Sequence, residues 1–138
     1  MVNRMILAGV LVLITLTFGT AFAEPNLRPG KWEITTETQM PGMPVQIPPA
    51  THTQCISQKD LVPQSQEPGQ ECQISNTKVS GDTVSWTIVC TSQGGTMEGK
   101  GQITYKGDQM NGSTEMVMKN QGVTMKSKIR GRRVGNCD

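Results

Sequence analysis

The stretch that decides the fold spans residues 72–134 and reads CQISNTKVSGDTVSWTIVCTSQGGTMEGKGQITYKGDQMNGSTEMVMKNQGVTMKSKIRGRRV. Turn-forming residues at 80–82, 94–95, 107–108 and 121–122 divide it into short runs in which polar and apolar residues alternate. Such alternation between Gly- and Asp-containing turns is typical of half-buried antiparallel strands. The stretch therefore predicts a β-meander of five strands.

The turns also predict how the strands pair. A two-residue loop at 107–108 sets Met97 opposite Met118, and a two-residue loop at 121–122 sets Met118 opposite Met125. A slip of one residue would move every side chain of a strand to the other face, so the alternation itself supports this register.

Large side chains that face glycines indicate a curved sheet. Trp86 lies opposite Gly101 and Ile103 opposite Gly112 in this register, and glycine permits bending that a large side chain can cover. We expect an all-β fold: a single curved antiparallel sheet of about seven strands that closes toward a barrel or half-barrel. The expected buried face carries Val84, Trp86, Ile88, Cys90, Met97, Ile103, Met116, Met118, Val123, Met125 and Ile129, and the opposite face carries Thr83, Ser85, Thr87, Glu98, Lys100, Gln102, Glu115, Lys126, Lys128, Arg130 and Arg132.

Two further strands are expected before the meander, at 31–40 and 51–57, because residues alternate there as well. A Pro-rich loop at 41–50 separates them. One helical turn is expected at 59–61, and a polar linker follows at 63–69.

The N-terminus has the pattern of a secretion signal. Arg4 precedes an apolar run of about 14 residues, and Ala21 and Ala23 form a small-residue cleavage site before Glu24. The run is shorter than the roughly 20 residues of a membrane-spanning helix, although an uncleaved anchor is the alternative. We expect a signal peptide at 1–23 and one exported domain at 24–138, with membrane contact only through the cleaved segment.

Composition excludes some partners. The chain has 13 basic and 11 acidic residues, so no general electrostatic attraction to nucleic acid is expected. Aromatic residues make up only 4% of the chain. A core this poor in aromatics in an exported domain usually needs covalent support.

The four cysteines supply that support. An even number in an exported chain predicts two disulfides, and spacing alone allows three connectivities. A three-residue turn at 80–82 sets Cys72 opposite Cys90, at a distance suited to a disulfide. Cys55 and Cys137 then join the N-terminal hairpin to the last strand, and the alternative is Cys55–Cys72 with Cys90–Cys137.

Several motifs together resemble a known family. They are G-x-W-E at 30–33, M-P-G-M-P at 40–44, G-x-G at 99–101 before Y-x-G-D at 105–108, and G-R-R-x-G-x-C at 131–137, with the four cysteines in this order. The chain is similar to a bacterial family of small exported domains of unknown function (a DUF family). This resemblance implies a periplasmic protein and supplies no activity, cofactor or catalytic residue.

Nothing in the sequence points to catalysis or to a bound cofactor. His52 is the only histidine, and no serine or cysteine lies in an activating motif. Glu33 and Glu37 share a strand face but lie about 13 Å apart, too far for a carboxylate pair. We therefore expect a protein that is not an enzyme.

The methionines and the basic residues of the last strand are the remaining candidates. Met97, Met118 and Met125 form one row with Met116 beside it, and thioethers select Cu(I); the alternative is that they fill a thin core. A basic stripe, which we define as Lys126, Lys128, Arg130, Arg132 and Arg133, contains one cross-strand pair, Glu115 with Lys128. The stripe is a candidate contact surface or a solvated face that prevents edge aggregation.

These observations favour a non-enzymatic exported domain that binds a small apolar ligand or an envelope protein. The glycines opposite large residues would leave a hollow on the apolar, concave face. The alternative function is a soft-metal or redox-stress protein that uses the methionine row.

Overall fold

A computed structural model describes residues 19, 23–64 and 68–138. The predicted signal peptide lies outside the described residues except for Gly19 and Ala23, as do residues 65–67 of the linker. The strands are β1 (Gly30–Gln39), β2 (Ala50–Ile56), β3 (Glu71–Ser80), β4 (Thr83–Ser92), β5 (Gly95–Lys106), β6 (Gln109–Met118) and β7 (Val123–Gly135).

All seven strands belong to one antiparallel sheet with the order β2-β1-β7-β6-β5-β4-β3. The meander β3 to β7 is continuous, and the N-terminal hairpin joins it because β1 pairs with β7. The sheet curls into a half-barrel, which confirms the predicted fold class. The described part of the chain contains no helix, and hence none of a length and apolarity that would cross a membrane.

The predicted register is confirmed between β5 and β6, where Met97 faces Met118 and Ile103 faces Gly112. Between β6 and β7 it is wrong by two residues, since Met118 faces Val123 and not Met125. The connecting turn at 119–122 is four residues long and is closed by a hydrogen bond from the Gln121 amide to the Met118 carbonyl oxygen (3.2 Å). A shift of two residues leaves each side chain on its predicted face.

The turn between β3 and β4 also differs from the prediction. Ser80 faces Thr83, so the loop has two residues, and Gly81 provides the positive φ (58°) that such a turn needs. A β-bulge at Asn76 (φ 51°) adds one residue to β3 and compensates for the shorter turn. The three-residue turn is therefore wrong, whereas the predicted pairing of Cys72 with Cys90 is confirmed.

The N-terminal hairpin matches its prediction to within one residue at each end. The helical turn expected at 59–61 is absent. Ser57 and Asp60 instead exchange two backbone hydrogen bonds across a tight turn (3.1 and 3.4 Å). Leu61 and Val62 then pack over the sheet.

The core lies on the apolar face, under residues 56–62 and the segment that contains Leu27. Trp32 and Tyr105 are fully buried and meet edge to face, with ring centroids 5.9 Å apart. The Trp32 indole donates to the Arg28 carbonyl oxygen (3.2 Å), and the Tyr105 hydroxyl donates to that of Leu61 (2.5 Å). These bonds satisfy the polar atoms of both aromatic residues.

Large side chains fill the space that the glycines leave on this face. A Cβ atom on Gly101 would lie 2.4 Å from the Trp86 ring, and one on Gly131 would lie 2.2 Å from the Met110 side chain. Trp86 is only 3% exposed. The rows of large residues opposite glycines are thus packed core, which removes the reason for expecting a hollow there.

Both predicted disulfides are present. Cys72 bonds to Cys90, and Cys55 bonds to Cys137 across 82 residues of sequence. Lys31 of β1 pairs with Cys55 on one side and with Gly135 on the other, so the second disulfide bridges over β1. Two structural disulfides are typical of proteins in an oxidising compartment.

Tyr105 should make the stability of the fold sensitive to alkaline pH. Burial, with a smaller contribution from the Asp60 carboxylate, raises the pKa of Tyr105. The folded state therefore retains a proton that the unfolded chain loses above pH about 10, and the free energy of unfolding should fall as the pH rises beyond that value. Urea unfolding from pH 8 to 11 should show this decline in the parent and a weaker one in Tyr105→Phe; parallel curves would contradict it.

Candidate functional site

A hollow of about 850 Å³ lies across the middle of the sheet. Most of its lining belongs to two neighbouring cross-strand rows of the polar face. The first row, from β1 to β3, is Glu37, Lys128, Ser113, Gln102, Ser85 and Lys78, and the second, from β1 to β4, is Gln39, Lys126, Glu115, Lys100 and Thr87.

One hollow touches both β1 and β3, although four strands separate them in the sheet. Both rows belong to the polar face, so the hollow lies on that face of the curled sheet. The hollow expected on the apolar face is not the one observed, which lies on the opposite side. A volume of this size is within the range of small-molecule sites, roughly 300–1,000 Å³.

The bulge that corrects the β3 register also contributes to the hollow. Asn76 lines the hollow and donates from its side-chain amide to the Thr87 hydroxyl (3.1 Å). The Ser75 hydroxyl lies 2.9 Å from the same Thr87 oxygen. These hydrogen bonds hold the bulge against β4 at one end of the hollow.

Between the two rows lies a floor of Trp86, Gly101, Thr114 and Ser127, which are cross-strand neighbours. The Trp86 ring lies over Gly101 on the apolar side. Gly101 has no side chain, and the floor of the hollow is therefore little more than backbone at this point. The rigidity of the floor depends on the core beneath it.

Acidic residues of the hollow already have basic partners. The Lys126 ammonium lies 3.5 Å from a Glu115 carboxylate oxygen, and Arg130 lies 3.2 Å from Glu37. The predicted pairing of Glu115 with Lys128 is wrong, because β6 and β7 pair with a shift of two residues. Lys128 faces Ser113 instead.

Three lysines of the hollow have no such partner. Lys78, Lys100 and Lys128 are exposed, and no carboxylate oxygen of the described residues lies within 4.0 Å of their ammonium groups. They lie on β3, β5 and β7, so one unpaired cation occurs on every second strand. The hollow therefore has an excess of positive charge.

Most other side chains of the basic stripe form ion pairs or hydrogen bonds within the fold. Arg132 pairs with Glu33 (2.8 Å), and Arg133 donates to the Pro29 carbonyl oxygen (2.9 Å). Lys126 and Arg130 are also paired with carboxylates. Among the described residues of the stripe, Lys128 alone has neither a carboxylate nor a hydrogen-bond partner for its side chain. The stripe is thus mainly a ladder of cross-strand contacts that supports the pairing of β7.

The methionines lie together, but not in the predicted row. Met97 faces Met118, and Met116 faces Met125, so four half-buried thioethers form two facing pairs on the apolar face. Within the described ranges, no group of three His, Cys, Asp or Glu side chains could hold a metal ion. A metal site at this position would depend on sulfur ligands.

The remaining polar candidates do not converge. His52 lies on β2 opposite Ile34 and is half-buried, and its Nε2 atom has no hydrogen-bond partner in the described structure. Glu33 and Glu37 each pair with a different arginine of β7. A second cavity, of about 490 Å³, lies beside the Cys55–Cys137 disulfide.

Sequence reasoning missed the hollow because it assigned the polar face to solvent. The sequence signal that could have indicated the hollow was the spacing of the lysines on the polar face. Lys100 and Lys128 were placed on the polar face, but alternation does not show which face of a curved sheet carries a hollow. The position of Lys78 on the polar face also depends on the Asn76 bulge, which was not predicted from the sequence.

Residues 27–137 match the family model described as Protein of unknown function (DUF3617), and the chain belongs to that family. No curated protein and no solved structure matches the chain.

Proposed function

We propose that this DUF3617 domain is a non-enzymatic binding protein of the bacterial periplasm that holds a small ligand in the hollow of its polar face. The observation that carries the proposal is the hollow itself. It is large enough for a ligand, and polar groups from six strands converge on it.

Export is supported by two independent features. The segment before Glu24 has the charge, apolar length and small residues of a cleaved signal. The domain that follows uses all four of its cysteines in disulfides, which persist in oxidising compartments.

The hollow favours a polar or amphiphilic ligand over the purely apolar one that the sequence suggested. Its lining includes lysine, serine, glutamine and asparagine side chains, which offer hydrogen-bond donors. The apolar side chains lie instead on the other face, where they pack as core. A purely apolar ligand would leave the lining groups without partners.

Blocking the hollow should remove a ligand that co-purifies with the protein. Ser113 is exposed at the centre of the first row, and Ser113→Trp would place an indole in the hollow. Asn111→Trp is the matched control, because Asn111 is exposed two residues away on the same strand and face but does not line the hollow.

Native mass spectrometry of both variants and the parent, purified from periplasm, gives the measurement. We expect a bound mass in the parent and in Asn111→Trp and none in Ser113→Trp. Equal retention of the mass by all three proteins would contradict binding in the hollow.

The four facing methionines support a second candidate, a soft-metal (Cu(I)) or redox-stress protein that uses Met97, Met118 and Met125 together with Met116. Thioether ligands favour Cu(I), and two facing pairs bring four sulfurs onto adjacent positions of one sheet face. The same spectra distinguish the candidates. Copper that is retained by Ser113→Trp and lost from Met116→Leu would favour the methionines.

A further inference from the structure

We infer that the hollow selects an acidic oligosaccharide, a chain in which carboxylate or sulfate groups are separated by neutral sugar hydroxyls. This inference rests on the proposed function, since it names the ligand class of the same hollow. It is carried by the positions of the three unpaired lysines and by the neutral groups between them.

The unpaired lysines are spaced along the hollow. Lys78 and Lys128 belong to the first row and are four strands apart, which is about 19 Å along the sheet at the usual strand spacing. Lys100 lies between them on β5, in the second row. A ligand that contacts all three must be elongated and must carry separated negative charges.

Neutral hydrogen-bonding groups fill the intervals between these cations. Ser85, Gln102 and Ser113 lie between Lys78 and Lys128 in the first row. Hydroxyl and amide side chains can donate and accept, as sugar hydroxyls require. The row therefore alternates between charge and neutral hydrogen bonding in the way that an acidic sugar chain does.

The two glutamates of the hollow argue against a uniformly charged chain. Glu115 lies beside Lys100 in the second row, and Glu37 lies beside Lys128 in the first. A polyphosphate would place negative charge close to both carboxylates, at a cost from like-charge repulsion. A chain that places neutral hydroxyls beside these carboxylates avoids the repulsion.

Tetragalacturonate is a suitable probe, because its methyl ester has the same sugars without the charges. Calorimetric titration should show binding of the acid, weaker binding as salt rises, and little binding of the ester. Lys78→Gln, Lys100→Gln and Lys128→Gln should each weaken binding about 10- to 100-fold, as expected for the loss of one charged hydrogen bond.

Lys106→Gln is the matched control for Lys100→Gln. Lys106 is exposed on the same strand and the same face but lies outside the hollow, so its replacement should leave affinity unchanged. Thermal melts of all four variants establish that the fold is intact.

Three results would overturn the inference: equal affinity for the ester, equal losses in Lys100→Gln and Lys106→Gln, or tripolyphosphate binding as tightly as tetragalacturonate. Absence of tetragalacturonate binding would also overturn it, while leaving the proposed function standing if Ser113→Trp still removes the co-purifying mass. If Ser113→Trp removes no bound mass, the proposed function itself fails.

Discussion

Trp86→Ala should lower the free energy of unfolding by about 3–5 kcal/mol, the usual cost of truncating a buried aromatic residue to alanine. Trp86 is 3% exposed, and its ring lies over Gly101, which has no side chain to fill the space that would be left. The cavity would also lie directly beneath the floor of the hollow, so ligand binding should weaken together with stability.

Thermal and urea unfolding of the purified domain measure this effect. A loss of this size should lower the melting temperature by on the order of 10–20 °C in a domain that spans residues 27–137. Val89→Ala on the same strand is the control, because Val89 is 37% exposed and faces away from the core. Its replacement should change stability by only about 0.5 kcal/mol. Equal melting temperatures for the parent and Trp86→Ala would place Trp86 outside the cooperative core.

Removing the Cys55–Cys137 disulfide should cost about 4–5 kcal/mol, because it closes a loop of 82 residues in the unfolded chain. The bond also ties β2 to the end of β7 across β1. Apart from this bond, the pairing of β1 with β7 joins the N-terminal hairpin to the meander in the sheet. Since a domain has only about 5–15 kcal/mol of stability in total, the Cys55→Ala/Cys137→Ala variant should be close to unfolding at physiological temperature.

The second disulfide provides the comparison. Cys72–Cys90 closes a loop of only 18 residues, which corresponds to about 3 kcal/mol on the same argument. Cys90 is buried, so its replacement by alanine also removes packing contacts. The resulting loss of stability adds to the loss that comes from opening the loop. Urea unfolding of both double variants tests the loop-length argument. A Cys55→Ala/Cys137→Ala variant that unfolds at the same urea concentration as the parent would refute it.

The register error between β6 and β7 has a simple physical origin. Alternation has a period of two residues, so it detects a slip of one but not a slip of two. Met118 therefore stayed on its predicted face while its partner changed from Met125 to Val123. Because of that change, Lys126 pairs with Glu115, and Lys128 is left without a carboxylate partner among the described residues.

The Cys72–Cys90 prediction was right although the turn behind it was wrong. Gly81 and Asp82 form a turn one residue shorter than expected, and the Asn76 bulge restores the register by one residue. The shorter turn and the bulge shift the register by one residue in opposite directions, and the two shifts cancel at the cysteines. The predicted pairing was therefore right although neither feature was predicted.

The class of fold and the residues on each face of the sheet followed from the sequence alone, because alternation and turn residues are local along the chain. The pairing of the cysteines did not, because it depended on the Asn76 bulge and an alternative pairing stayed open. The tertiary structure was needed to show which face carries the hollow, because Trp86 over Gly101 and Met110 over Gly131 fill the apolar face as core. It also decided which lysines have no carboxylate partner, because ion pairing across strands depends on the register of β6 with β7 to the residue.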